Sequence, residues 1–392
     1  MRAALALFLL VAAPAQAEEV MVGVAFDRSG EPGAFASGLS DAKAGRVATP
    51  DDPARIASIS KLVVAIGVMK LVEQKALDLD ADVSRYLDWP LRNPAFPDRP
   101  ITLRMLLSHT ASLRDGEDLY VIPLGRTLKG QLANSSVWDS AHAPGEGYFT
   151  YGNMNFPVIA AIVEKVTRER FDIWMRREVL DPLKVDACYN WATCSDAAIA
   201  RAIVLTLDGE IVRDDLAGKR PDCPVYVEEG ETCDLSRSKL GKNGALWSPQ
   251  GGLRISVRGL SRLGRMLLNH GELDGVRLLQ PASVDLLLDP VWVFNGSNGK
   301  TDKGMYCSYG LATQQLATPV KGCNDDPAGD RAVRIGHAGD AYGLRSGLWI
   351  DQASDTGIAY LVTDVGDARP EVAEFTPEEI AAFKRTQALI GR

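Results

Sequence analysis

The sequence predicts an α+β fold, with one antiparallel sheet built from both chain ends, flanked by helices, and a mainly helical region inserted between. Short β-branched runs lie near each terminus, a long proline-free apolar segment spans Ser58 to Lys75, and further helical stretches fill the middle. The sheet part is expected at about 18–55 and 331–392 and the helical part at about 56–330, together forming a single domain over 18–392.

Residues 1–17 read as a leader. Arg2 precedes an apolar run, Ala3 to Ala13, too short to span a bilayer, and Ala15-Gln16-Ala17 has the small-x-small form of a cleavage site. The chain is therefore expected to be exported, periplasmic or secreted after cleavage near Ala17, with no stable membrane anchor. Val20 to Phe26 forms the first strand, and Ala34 to Gly38 returns as its hairpin partner. The long helix follows, then a stretch rich in Pro and Asp that reads as turns, with Thr102 capping a helix through Leu107. Phe156 to Val166, Phe171 to Val179 and Ser256 to Asn269 read as helices. Ser346 to Ile350 and Gly357 to Val362 read as strands joined by "DQASD". A closing helix is expected to run to about Ile390, with Thr376 as N-cap, Pro377 in the first turn, and Glu378 and Glu379 facing the positive end of the dipole.

A net charge of −8 without any basic run excludes a nucleic-acid partner, because phosphates would be repelled. The six cysteines fall as close pairs, Cys188 with Cys194, Cys223 with Cys233 and Cys307 with Cys323, in segments 185–245 and 291–330 that read as stapled loops. An even count in an exported chain favours disulfides; six cysteines allow about 15 connectivities, and nearest-neighbour pairing is the working expectation. With no C-x-x-C pair and four histidines remote from these cysteines, a zinc site is disfavoured, and no metal or cofactor is expected.

Chemistry enters at "RIASISK". On a helix Ser58 and Lys61 lie one turn apart on one face, so Ser58, and not Ser60, is the serine paired with the lysine. The next two turns are apolar nearly all round, which desolvates the amine and lowers its pKa. Such an amine can take the hydroxyl proton, and backbone N–H groups at the helix start favour negative charge on an acyl oxygen. The decoy Ser236-Arg237-Ser238-Lys239 leads into no helical pattern.

Two further segments extend the pattern: Tyr151-Gly152-Asn153 before a helix and His337-Ala338-Gly339 before a strand. S-x-x-K, Y-x-N and [KH]-x-G in this order resemble the serine β-lactamase and penicillin-binding-protein superfamily, most closely its class C β-lactamase, D-alanyl-D-alanine carboxypeptidase and family VIII esterase branch. "ITLRMLLSHTASL" and "SPQGGLRISVRGLSRLG" are similar to flanking segments of that branch. The resemblance implies a β-lactamase/transpeptidase-like fold. It makes Ser58 the acylated nucleophile, Lys61 its proton acceptor, and Tyr151 the second proton-transfer group, ionised or hydrogen-bonded beside Lys61. Asn153 would bind the substrate carbonyl, His337 would orient the Tyr151 network as a donor, and the N–H groups of Ser58 and of Asp340, just past Gly339, would form the oxyanion hole. Lys242-Asn243-Gly244 also matches K-x-G but precedes no strand, and His109, His142 and His270 read as structural or surface residues.

The chain departs from the branch at two places. Ser112 stands where glycine is usual, so that turn is expected to differ. Asp340 brings an acid beside the oxyanion hole and disfavours substrates with a carboxylate there unless Arg345 or Arg334 neutralises it. The expected function is a serine hydrolase with a small-molecule or peptide substrate, acting on small esters, D-amino-acid peptides or amides. A class C-type β-lactamase and a non-catalytic peptide- or cell-wall-binding protein of the same fold are the alternatives.

Overall fold

The computed structural model describes residues 19–366 and 375–391. The leader reading lies outside the described residues. Eight antiparallel strands form the main sheet, in the order Trp292–Val293, Ser308–Tyr309, Gln314–Gln315, Ile335–Ala341, Leu344–Asp351, Thr356–Val362, Met21–Asp27 and Gly33–Ser37. The first strand joins the last, with Val24 opposite Ala359, so the two chain ends are held in one sheet as expected.

Side chains alternate across this sheet. Leu348, Ala359 and Leu361 belong to the large core that also contains the helices Ile59–Glu73 and Val257–Leu268. Trp349, Ile358 and Tyr360 face the other way, against Ala382 and Phe383 of the closing helix Pro377–Gln387. That helix begins as predicted, with the Thr376 side chain accepting from the Glu379 N–H and Pro377 in the first turn, but ends at Gln387. Helices therefore cover both faces of the sheet.

The loop expectation for 291–330 needs correction, because three two-residue strands of the main sheet lie there. Pairs this short leave no readable alternation. Within 185–245 the chain also forms the helix Asp196–Ala200 and the hairpin Leu205–Leu207 with Glu210–Arg213. Phe171–Met175 is α-helical as expected, but Arg176–Leu180 widens into a π-turn. The cysteines pair as nearest neighbours, 188–194, 223–233 and 307–323. Among the described residues no helix is long and apolar enough to cross a membrane.

Candidate active site

The helix Ile59–Glu73 is buried on nearly every side, so its first turn is fixed from all directions. Ser58 stands at the N-cap, and Ala57 before it takes φ +49°, a left-handed conformation rarely adopted by alanine. Ser60 turns into the core, donating to the Ala57 carbonyl and accepting from the Leu253 N–H. Ser58 instead lines a cleft of about 740 Å³ together with Tyr151, Asn153, Gly339 and Asp340.

Lys61 is fully buried at the base of this cleft. Its Nζ reaches Ser58 Oγ at 2.9 Å, Asn153 Oδ1 at 2.8 Å and the Gln250 carbonyl at 2.9 Å. Burial lowers its pKa to about 7; Asp115 opposes that shift and Arg55 adds to it. Asp115 was not found by motif reading. Its carboxylate accepts from Asn153 Nδ2 at 2.9 Å and from the Met154 N–H at 3.0 Å. This fixes the amide so that the oxygen, and not the nitrogen, meets Lys61.

Two of the three Lys61 partners are carbonyl oxygens that can only accept. When Lys61 gives up a proton, Ser58 is the one partner able to donate to its lone pair. The amine and the hydroxyl thus stand at the hydrogen-bond distance that a base and a nucleophile would need.

Tyr151 lies on the extended segment before the helix Asn155–Thr167. Its ring stacks on Tyr306 at 4.5 Å, with Lys61 Nζ 4.9 Å from its centroid. The hydroxyl is turned towards Ser58 and Tyr306 but is buried without an aligned hydrogen bond. Burial raises its pKa above the ordinary phenol value, so at neutral pH the group is a phenol and not the ionised base allowed for in the sequence reading.

His337 lies within the strand Ile335–Ala341, not before a strand. Its expected role on Tyr151 also needs correction: Nε2 meets the Tyr309 hydroxyl at 2.8 Å, and the two rings, His337 and Tyr151, stand 6.1 Å apart. Nδ1 faces the Ala338 carbonyl, which only accepts, so the proton sits on Nδ1 and Nε2 accepts from Tyr309. Burial and the nearby Lys61 push the ring down to about 3, leaving it neutral. Gly339 has a steric reason. A Cβ there would stand 2.3 Å from the Ile56 carbonyl oxygen, so only glycine lets this strand close on the segment leading to Ser58.

His109 has a structural role, as one of its two sequence readings had it, and that role bears on the site. Its Nδ1 accepts from the Gly152 N–H at 3.2 Å and from Asn155 Nδ2 at 3.1 Å, bracing the Tyr151 turn from behind. Desolvation holds its pKa well below the usual histidine value, so the acceptor nitrogen stays free of a proton. His142 and His270 lie elsewhere, beside Asp139 and Arg28. Ser112 keeps the glycine-like turn that was expected to change, at φ +63°, held by donation to the Asp139 and His142 carbonyls. Asp340 is neutralised by Arg345, while Arg334 pairs with Asp330. The two decoys are remote from this chemistry: Ser236 lies in an exposed single turn, and Lys242 pairs with Asp88.

Known proteins share this arrangement of chain. The chain is similar to Esterase EstB of Burkholderia gladioli, 31% identical over 173 residues, covering 39% of this chain and 42% of that protein. It is similar to Penicillin-binding protein 4 of Amycolatopsis lactamdurans, 25% identical over 259 residues, covering 66% of this chain and 62% of that protein. Both matches span less than two thirds of the relative's own length. In fold it is similar to the D-amino acid amidase from Ochrobactrum anthropi SV3, with a TM-score of 0.65 at 18% identity over 95% of this chain and 93% of that one. The sequence model of the Beta-lactamase family matches residues 12–382, nearly the whole length, and the chain therefore belongs to that family.

Proposed function

We propose that this chain is an exported serine hydrolase that forms an acyl-enzyme at Ser58 and releases it to water, acting on small esters, D-amino-acid peptides or amides. The observation that carries this reading is the buried Lys61 amine, with a pKa near 7 and Ser58 as its one partner able to donate. Lys61 accepts the Ser58 proton as Oγ bonds to the substrate carbonyl carbon. The oxyanion is met by the N–H groups of Ser58 and Asp340, and collapse expels the leaving group with a proton returned from Lys61. The neutral phenol of Tyr151 suits relaying that proton, giving its own to the departing atom as it takes one from Lys61, and Asn153 borders the same cleft. Water then attacks the ester carbonyl with Lys61 again as base, and the bond from Ser58 Oγ to the acyl carbon breaks as Lys61 returns the proton to Oγ.

The names of the relatives, an esterase, a penicillin-binding protein and an amidase, support acyl transfer as the reaction class. Three disulfides support export to an oxidising compartment. The test is hydrolysis of para-nitrophenyl butyrate and of D-alanine para-nitroanilide by the wild type and by Ser58→Ala. Turnover of either substrate that disappears in the variant supports the reading; activity retained by the variant, or none in the wild type, counts against it.

A further inference from the structure

The Tyr151 hydroxyl is buried and turned towards Ser58 and Tyr306, yet no aligned hydrogen bond fixes it. A buried polar atom left in this way is costly and calls for a reason. With the oxygen untied, its direction is set by the ring that carries it. Two neighbours grip that ring: Tyr306 stacks on it at 4.5 Å and 9°, and His109 packs against it at 4.5 Å and 38°. Tyr306 is 8% exposed and belongs to a buried aromatic cluster with Phe149, Trp292 and Tyr309.

Tyr306 is itself held by an unusual piece of chain. Asp302, Lys303 and Gly304 all take left-handed φ values, +45°, +54° and +89°. Residues other than glycine enter this region singly and at a cost, so such a run persists only where its surroundings over-determine it. Here the N–H groups of Gly304 and Tyr306 both donate to the Thr301 carbonyl, at 3.1 and 3.0 Å, and the Met305 N–H donates to the Asp302 carbonyl at 3.1 Å. Asn324 hooks the turn from outside, donating its N–H to the Gly304 carbonyl at 2.8 Å and its Nδ2 to the Lys303 carbonyl at 2.8 Å. The disulfide from Cys307 to Cys323 ties the residue after Tyr306 to the residue before Asn324. Turn, hook and disulfide thus converge on one side chain, the ring that faces Tyr151.

We infer that Tyr306 is a positioning residue for the leaving-group proton, its stacked ring aiming the Tyr151 phenol at the departing atom. This rests on the serine-hydrolase reading above and adds the residue that aligns its acid step. As the bond from the acyl carbon to the leaving atom breaks, Tyr151 gives its proton to that atom and takes one from Lys61. A ring free to tilt misses that line. The need for the proton grows with the basicity of the leaving group, so a misplaced phenol harms alkyl esters and simple amides far more than para-nitrophenyl esters or anilides.

The test compares substrates that share an acyl group and differ in leaving group: ethyl butyrate against para-nitrophenyl butyrate, and D-alaninamide against D-alanine para-nitroanilide. Tyr306→Leu should lower kcat/KM for the member with the basic leaving group by roughly ten- to hundredfold more than for its activated partner. Tyr151→Phe should show the same selectivity, and the double variant should add little to it. Tyr306→Phe keeps the ring and should keep most of the wild-type ratio. Equal losses on both members in Tyr306→Leu mark a merely structural role and overturn the inference, as does a Tyr306→Phe as selective as Tyr306→Leu. A wild type that hydrolyses only the activated members has no relay to align and overturns it too. If Tyr306→Leu does not fold, Asn324→Ala, which releases the Lys303 carbonyl and leaves every ring in place, decides by the same ratio. Labelling of Ser58 by a fluorophosphonate separates the two claims: labelled enzyme without the selective loss removes only the role of Tyr306, whereas wild type that cannot be labelled removes the hydrolase reading beneath it.

Discussion

Asp115 and Lys61 are joined through a single amide, for Asn153 donates Nδ2 to Asp115 at 2.9 Å and presents Oδ1 to Lys61 at 2.8 Å. The aspartate thus decides which end of Asn153 the lysine meets, and its charge partly offsets the effect of burial on the amine.

Asp115→Ala should therefore act twice. The freed amide of Asn153 can turn a donor towards Lys61, and kcat should fall by about ten- to a hundredfold, in the range expected for a misplaced catalytic group. Loss of a nearby negative charge also lowers the Lys61 pKa further, so the acidic limb of the kcat/KM profile should move to lower pH. A pH profile of the variant checks both effects, and a purely structural role for Asp115 would leave the limb in place.

Lys61 should lower stability while it serves catalysis. Its pKa falls from the ordinary 10.5 to about 7 on folding, so between those values the unfolded chain binds more protons. Stability due to this group is full above about 10.5 and is lost as the pH falls through that window. Lys61→Met should abolish hydrolysis yet raise the urea midpoint at pH 7, by on the order of a few kcal/mol in unfolding free energy. The gap over the wild type should widen from pH 10.5 to 7 and level off below. Denaturation curves across that range measure it.

Gly339→Ala should damage the site through sterics alone. The added methyl would meet the Ile56 carbonyl at 2.3 Å and Ser346 Oγ at 2.4 Å, pushing the strand away from Ser58. A loss of about 1–3 kcal/mol of stability is expected from overpacking of this kind. Activity at temperatures where the variant remains folded should fall as well, which thermal melts and initial rates together can establish.

The disulfide Cys307–Cys323 anchors the segment whose Tyr306 stacks on Tyr151. Replacing both cysteines by serine reopens a loop of 16 residues and should cost about 3 kcal/mol. Initial rates should fall with it, because the Tyr151 ring loses its fixed neighbour, whereas the Cys223–Cys233 pair, remote from these rings, should affect stability alone.

What could be read from the sequence was what neighbours along the chain create. Ser58 and Lys61 are one helical turn apart, and Thr376 announces its helix through Pro377 and two glutamates, so spacing alone places them. Asp115, Arg55 and the pair Tyr306 and Tyr309 come to the site from three separate segments, and nothing local marks them as partners. Signals were present in hindsight: Asp115 follows directly on "HTASLR", and Arg55 opens "RIASISK". His337 was misassigned to Tyr151 because the intervening Tyr309 lies on a two-residue strand with no alternation to reveal it. Ser112 kept its turn because two carbonyl acceptors offset the left-handed backbone, a compensation made by residues 27 and 30 positions away.

The central claim is that Ser58 carries the acyl group. Intact-mass spectrometry after incubation with a fluorophosphonate, and separately with a penicillin, tests it most directly, with Ser58→Ala treated in parallel. The account predicts one fluorophosphonate adduct on the wild type, mapped to Ser58 and missing from the variant, with the penicillin sample reporting whether the cleft admits β-lactams. A wild type left unmodified by both reagents, or an adduct that persists in Ser58→Ala, would contradict it.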